Sequence, residues 1–114
     1  MQFYRKYETE MKYMEMRLER LGTTLVAKLN GELDHSCAAE IRERLDKEIN
    51  TGGMKNLVMD FDKVDFMDSS GIGVLVGRYK RIRSMGGKML VIRTSPQVDK
   101  IIDVSGLRNL MEFE

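Results

Sequence analysis

Residues 56–93 read NLVMDFDKVDFMDSSGIGVLVGRYKRIRSMGGKMLVIR, and this stretch decides the fold class. Its first part is a short apolar run that predicts a buried strand over 56–61, followed by a loop over 62–68. Apolar residues at helical spacing then predict a helix over 70–85, which two glycines terminate. A second apolar run predicts another buried strand over 88–93. A strand, a helix and a strand in this order predict two parallel strands joined by a right-handed crossover.

The segments on either side continue this alternation of strands and helices. Their patterns predict strands over 14–20, 24–30 and 110–113 and helices over 36–50 and 96–105. We therefore predict an α/β fold, with one domain built on a mixed, mostly parallel sheet of four to five strands with right-handed helical crossovers.

Capping residues mark the ends of the two outer helices. Asp34 or Ser36 is the candidate N-cap of the first, since short polar side chains accept hydrogen bonds from free helix N–H groups. Ser95 precedes Pro96 at the start of the last helix, and Gly106 follows its end.

Residues 1–13 have an ambiguous pattern. Apolar residues recur at helical spacing within them, yet Met14, Met16 and Leu18 alternate with charged residues as in a half-buried strand. We predict that 1–13 is an N-terminal extension, helical or frayed, and that the domain proper spans 14–114.

Charge and composition exclude several classes of function. Nineteen Lys and Arg against eighteen Asp and Glu give a net charge of +1, too even to indicate binding to nucleic acid or an anionic membrane. Cys37 is the one cysteine, so no internal disulfide can form and a reducing compartment is expected. No apolar run approaches the roughly 20 residues of a membrane span, and none follows the N-terminus as in a secretory signal. We expect a cytoplasmic protein.

The segment Asp65–Gly73, DFMDSSGIG, is the candidate functional site. It lies where a strand leads into a helix, at the edge of the sheet where α/β proteins place functional groups. Two serines beside an aspartate open a helix whose first turn carries little side-chain bulk. The serines either only cap the helix or present a reactive hydroxyl, and their residue types do not decide between the two.

Catalytic and cofactor sites have weak support. The spacing Gly71-x-Gly73-x-x-x-Gly77 resembles a loosened dinucleotide fingerprint, but a loop separates it from the strand and four nearby carboxylates would repel a pyrophosphate. A Ser-His-Asp site would need His35 to reach Ser69, and His35 with Cys37 lacks the second ligand pair of a metal site. We predict no enzyme activity, no cofactor and no metal. The cations of the second helix indicate either a solvated face or a docking surface for an acidic partner.

Four short motifs together resemble a known family, the domain shared by sulphate transporters and anti-sigma factor antagonists. The motifs are Gly31-Glu32-Leu33-Asp34-His35, Phe66-Met67-Asp68-Ser69-Ser70-Gly71-Ile72-Gly73, Gly77-Arg78-Tyr79-Lys80 and Val104-Ser105-Gly106-Leu107. The resemblance covers about residues 14–113. The Asp-Ser-Ser-Gly segment is specific to the antagonists, and the first and third motifs favour the sporulation branch over the general-stress branch.

The resemblance implies a function. In this family an anti-sigma factor, itself a serine kinase, holds a sigma factor inactive until the unphosphorylated antagonist binds the kinase. The kinase then phosphorylates the first serine of the motif, here Ser69, and a serine phosphatase resets it. The partner-binding residues implied by the resemblance are Asp34, His35, Asp68, Ser70, Gly71 and Arg78.

The chain departs from the family pattern at three points. Ser36 stands where a second histidine is common, residues 1–11 have no family counterpart, and the usual final helix after the last strand is missing. We expect the extension, or a second copy of the chain in a homodimer, to cover the apolar residues that this helix would bury. The alternatives are the same domain in a general-stress pathway, a nucleotide-binding regulatory module, and a small hydrolase that uses Ser69.

Overall fold

The computed structural model describes the backbone of residues 2–9 and 12–114 and the side chains of residues 14–114. The described residues form β1 (Gln2–Thr9), β2 (Lys12–Leu21), β3 (Thr24–Leu33), α1 (Ala38–Asn50), β4 (Asn56–Met67), α2 (Ser69–Ser84), β5 (Met89–Ile92), α3 (Pro96–Ser105) and β6 (Glu112–Phe113). A short 3-10 turn, Leu107–Asn109, connects α3 to β6.

The strands form one mixed sheet in the order β1-β2-β3-β4-β5-β6. The pairs β1–β2 and β2–β3 are antiparallel, and the strands from β3 to β6 are parallel to one another. Each parallel connection contains one helix and moves one strand along in the same direction, so the right-handed rule places α1, α2 and α3 on one face. The predicted α/β fold with helical crossovers is confirmed.

Burial alternates along the strands as this arrangement requires. Met14, Met16 and Leu18 of β2 are at most 2% exposed, whereas Glu15 and Arg17 point to the other, uncovered face. The central core residues, all fully buried under the helices, are Leu25, Leu33, Ile41, Leu45, Leu57, Met59, Phe61 and Leu75. No helix of the described residues has the length and apolarity needed to cross a membrane.

The loop predicted over 62–68 is a strand. β4 continues to Met67 and pairs with β3, which itself runs on to Leu33. Within this continuation only Val64 and Met67 are buried, and the register with β3 shifts twice. The pattern therefore lacks the two-residue period of a strand, which is why the sequence indicated a loop.

The prediction of a helical or frayed N-terminal extension is wrong. Residues Gln2–Thr9 form β1, which pairs antiparallel with β2. This pairing gives hydrogen-bond partners to backbone N–H and C=O groups at the edge of β2. β1 and β6 lie at opposite edges of the sheet, so β1 is not placed beside β6 as a substitute for a final helix.

The predicted helix caps are partly confirmed. Ser95 accepts a hydrogen bond from the Val98 N–H at 3.2 Å, and Gly106 ends α3 in the left-handed conformation, with φ 74°. The first helix differs, because it begins after Cys37, whose side chain makes no capping bond. Asp34 instead holds the turn that precedes α1.

An ion pair between buried Asp60 and exposed Arg93 lies on the uncovered face of the sheet. Asp60 of β4 is 4% exposed, and its Oδ1 accepts hydrogen bonds from Arg93 Nε at 3.1 Å and from the Asp62 N–H at 3.0 Å. Arg93 also pairs with Asp60 Oδ2 through a second nitrogen. Burial acts to raise the pKa of Asp60, but the hydrogen bonds from Arg93 and Asp62 outweigh it and hold the pKa below its ordinary value.

This pair makes the stability of the domain depend on acidity. The pKa of Asp60 in the folded chain lies below the unfolded value of about 3.9, so its contribution is complete above that pH and disappears as pH falls through the folded pKa. We expect Asp60→Asn to lower the free energy of unfolding by about 1–3 kcal/mol at pH 7 and by much less near pH 2. Urea unfolding at both pH values measures this. Asp62→Asn, whose side chain is half exposed, is the control, and an equal loss at both pH values for Asp60→Asn would contradict the prediction.

Candidate functional site

The carboxyl ends of β3 and β4 lie side by side and form the base of the candidate site. Leu33, the last residue of β3, pairs with Met67, the last residue of β4. The Asp68 N–H then donates to the Leu33 carbonyl at 3.3 Å, so the two segments stay paired one residue beyond the end of β4. The loop before α1 and the start of α2 are therefore neighbours.

Asp68 joins these two segments through its carboxylate. As the N-cap of α2, it accepts hydrogen bonds at Oδ1 from the N–H groups of Ser70 at 2.8 Å and Gly71 at 3.4 Å. Its Oδ2 accepts from the His35 N–H at 3.3 Å, and the His35 Nδ1 lies 3.8 Å from the same oxygen. The structure thus brings Asp68 and His35 together, and one carboxylate accepts hydrogen bonds from both segments.

Ser69 is exposed at the first position of α2. In the part of the chain that the structure describes, no hydrogen bond to its hydroxyl is formed, and none joins it to His35. The imidazole of His35, 80% exposed, faces Asp68 instead, so the Ser-His-Asp order of a hydrolase is not assembled. The hydroxyl is open to a group that arrives from outside the domain.

The Asp34 carboxylate is buried and shapes the turn before α1. It is 1% exposed, and its Oδ1 accepts from the Ser36 N–H at 2.9 Å and from the Ser36 hydroxyl at 2.6 Å. The carboxylate lies inside the domain, and the exposed residues of the turn that it shapes are His35 and Ser36. The partner-binding role of Asp34 stays a prediction.

Gly71 is buried where α2 meets the sheet. A Cβ at this position would lie 2.9 Å from both the Leu33 carbonyl oxygen and the Met67 Sδ. Gly71 therefore allows the first turn of α2 to approach the end of β3, which gives it a packing role. Its contact with a partner stays a prediction. Ser70, half-buried beside it, gives its N–H to Asp68.

Arg78 lies away from the site, about 13 Å further along α2 at 1.5 Å per residue. It is 7% exposed, and its Nε lies 2.9 Å from the Asp46 Oδ1 of α1. The two groups form an ion pair, but the Nε–H does not point at the oxygen well enough to form a hydrogen bond. Burial lowers the pKa of Arg78, and Asp46 opposes that shift. Arg78 therefore links α1 to α2. Its contact with a partner stays a prediction.

The geometry also weighs against the dinucleotide alternative. One residue, Asp68, separates β4 from α2, so the long intervening loop assumed from the sequence does not exist. Asp68 nevertheless occupies the position that a bound phosphate would need. Its carboxylate accepts hydrogen bonds from the N–H groups of Ser70 and Gly71 at the helix N-terminus. Among the described residues, no group of three or more His, Cys, Asp or Glu side chains could hold a metal ion.

The two glycines of the first turn make a matched pair of tests. We expect Gly71→Ala to lower the free energy of unfolding by about 1–3 kcal/mol, because its methyl group would clash with the backbone of β3. Gly73→Ala should raise it by roughly 0.5–1 kcal/mol, since a Cβ at Gly73 meets nothing within 4 Å and alanine favours the helix. Urea unfolding of both variants measures this, and equal effects would contradict the packing role of Gly71.

Comparisons with known proteins identify the family of the chain. Residues 15–114 match the STAS domain. The chain is 37% identical over 98 residues to an anti-sigma F factor antagonist of Paenibacillus polymyxa, covering 86% of this chain and 84% of that protein. A second anti-sigma F factor antagonist, from Lysinibacillus sphaericus, is 33% identical over 95 residues, covering 82% of this chain and 81% of that protein.

A solved structure gives the same result for the fold. The unphosphorylated form of the anti-sigma factor antagonist SpoIIAA superposes with a TM-score of 0.77 at 33% sequence identity, covering 87% of each chain. The sequence match and the fold agree over nearly the same residues, and the chain belongs to the STAS domain family of anti-sigma factor antagonists.

Proposed function

We propose that the chain is a phosphorylation-controlled antagonist of an anti-sigma factor in sporulation. Its unphosphorylated form binds the anti-sigma factor, a serine kinase, and releases the sigma factor that the kinase holds. Phosphorylation of Ser69 ends this binding. The observation that carries the proposal is the position of Ser69, exposed at the start of α2 and directly after the Asp68 cap.

In the phosphorylation reaction the antagonist supplies only the Ser69 hydroxyl. The Ser69 Oγ attacks the γ-phosphorus of ATP bound to the kinase, a new O–P bond forms, and the bond to ADP breaks. A base of the kinase takes the hydroxyl proton. A serine phosphatase later hydrolyses the phosphoserine and returns the hydroxyl and inorganic phosphate. The cycle runs in the cytoplasm, and it needs neither a cofactor nor nucleic acid on the side of the antagonist.

The surroundings of Ser69 explain how a phosphate could change binding and not the fold. A phosphoserine adds about −1.5 to −2 charges at pH 7. At Ser69 this charge would lie at a helix N-terminus, where the helix dipole favours it, and on an exposed side chain. In a docked complex the same charge would lie beside Asp68 and lose its water, which opposes binding.

The choice of pathway rests on the relatives. Two relatives above 30% identity are named as anti-sigma F factor antagonists, and an anti-sigma-B factor antagonist of Staphylococcus aureus is 27% identical over 84 residues. Together with the motifs of the sporulation branch, this favours sporulation over a general-stress pathway.

Phosphorylation should occur at one residue, Ser69. After incubation with the cognate anti-sigma factor kinase and ATP, we expect mass spectrometry to place a single phosphate there. Ser70→Ala should still be phosphorylated, because it is the Ser70 N–H and not its hydroxyl that serves the helix cap. A phosphate on Ser70, or one that persists in Ser69→Ala, would refute the assignment.

Ser69→Asp tests whether the switch is local. We expect the free energy of unfolding to change by no more than about 0.3–1 kcal/mol, because the added charge is at a surface helix N-terminus. Binding to the ADP-loaded cognate kinase should weaken at least tenfold, which corresponds to about 1.4 kcal/mol. Calorimetry measures the affinity, with Ser69→Ala as the control that should bind like the parent. Parent-like binding of Ser69→Asp, or its unfolding, would sink the proposal of a local switch.

A further inference from the structure

The exposed residues around Ser69 come from two separate segments of the chain. Ser69 begins α2, whereas His35 and Ser36 belong to the turn between β3 and α1. A kinase that docks on Ser69 with the contact area of an ordinary protein interface would meet both segments at once. Ordering two mobile segments on binding would cost free energy and so reduce the affinity. A relative position that is already fixed in the free domain avoids this cost.

The turn before α1 is held internally by its own hydrogen bonds. Asp34 accepts two bonds from Ser36, and the Asp34 carbonyl accepts the N–H groups of Cys37 at 3.3 Å and Ala38 at 3.0 Å. These bonds fix the shape of the turn, but none of them connects it to α2.

The connection to α2 runs through Asp68. Its backbone N–H bonds to Leu33 at the end of β3, and its Oδ2 accepts the His35 N–H at 3.3 Å. The other oxygen, Oδ1, accepts from Ser70 and Gly71 at the start of α2. Each oxygen of this single carboxylate thus accepts hydrogen bonds from a different segment, and the Asp68 side chain is only 30% exposed.

We infer that Asp68 is a positioning residue, which holds the His35–Ser36 turn beside Ser69 so that the kinase meets one preformed surface. This rests on the proposed function and adds to it a role for Asp68 that is separate from direct contact with the partner. The residue acts through the backbone N–H of His35, so the identity of the side chain at position 35 does not set this link.

The chemistry of asparagine separates this link from the helix cap. In Asp68→Asn the one remaining oxygen can serve the two donors of Ser70 and Gly71, which keeps the cap. The amide NH2 then faces the His35 N–H, donor against donor, and the link between the segments is lost.

The experiment measures Ser69 phosphorylation by the cognate kinase together with hydrogen exchange at the His35 amide. In the parent chain we expect the His35 N–H to exchange at least tenfold more slowly than in the unfolded chain. In Asp68→Asn this protection should disappear, the KM for the antagonist should rise at least tenfold, and kcat and the melting temperature should stay close to those of the parent.

Asp65→Asn is the matched control, since it removes the same charge from an exposed residue three positions away. It should leave both the KM and the His35 exchange rate unchanged. The inference is overturned if the parent His35 amide is unprotected, if Asp68→Asn keeps its protection or a parent-like KM, or if Asp65→Asn raises the KM equally. A parent chain that the kinase does not phosphorylate on Ser69 would instead refute the proposed function, and the exchange measurement would still report on the link.

Discussion

The carboxylate of Asp68 is the interaction on which the arrangement of the site depends. It closes the N-terminus of α2 with one oxygen and holds the turn before α1 with the other. This is possible because β3 and β4 are parallel neighbours that end at the same edge, with Leu33 paired to Met67. Parallel pairing brings the two segments close, and the carboxylate then satisfies N–H groups that would otherwise lack a partner.

Around this carboxylate the residues of the Asp-Ser-Ser-Gly motif divide between the inside and the outside of the domain. Gly71 is buried because α2 approaches the end of β3 too closely for a side chain, whereas Ser69 is exposed and its hydroxyl makes no hydrogen bond to the described residues. A charge can therefore be added at Ser69 and removed again at little cost in stability. On the proposed function, this separation leaves the support of the site intact when Ser69 is modified.

Charge is unevenly distributed between the two ends of α2. The segments 29–41 and 64–77, which form the two sides of the site, contain no Lys or Arg, and their formal charges are acidic, with Asp65 and Asp68 among them. The cations of α2 follow from Arg78 onward, and Arg78 itself is used internally against Asp46. On the proposed function, a phosphate at Ser69 would deepen an already negative region opposite the nucleotide phosphates of the kinase, which provides a second source of repulsion.

The sequence by itself determined the fold class, the order of the elements from β2 to β6 and the caps of α3, and it singled out the Asp68-Ser69 pair as the candidate site. These follow from local chemistry: apolar runs with a fixed period, capping residues, and a short motif that resembles a family. Only the tertiary structure decided that residues 62–67 continue β4, because bulges in its pairing with β3 hide the two-residue period. Likewise, residues 2–9 are a strand because the free edge of β2 is available to pair with them. The inward positions of Asp34, Gly71 and Arg78 are set by Ser36, Leu33 and Asp46, residues of other elements or of a turn whose path the sequence does not reveal. The burial of a side chain and its hydrogen-bond or ion-pair partners depend on how the whole chain packs. A motif in one segment therefore does not predict which of its side chains the rest of the chain will cover.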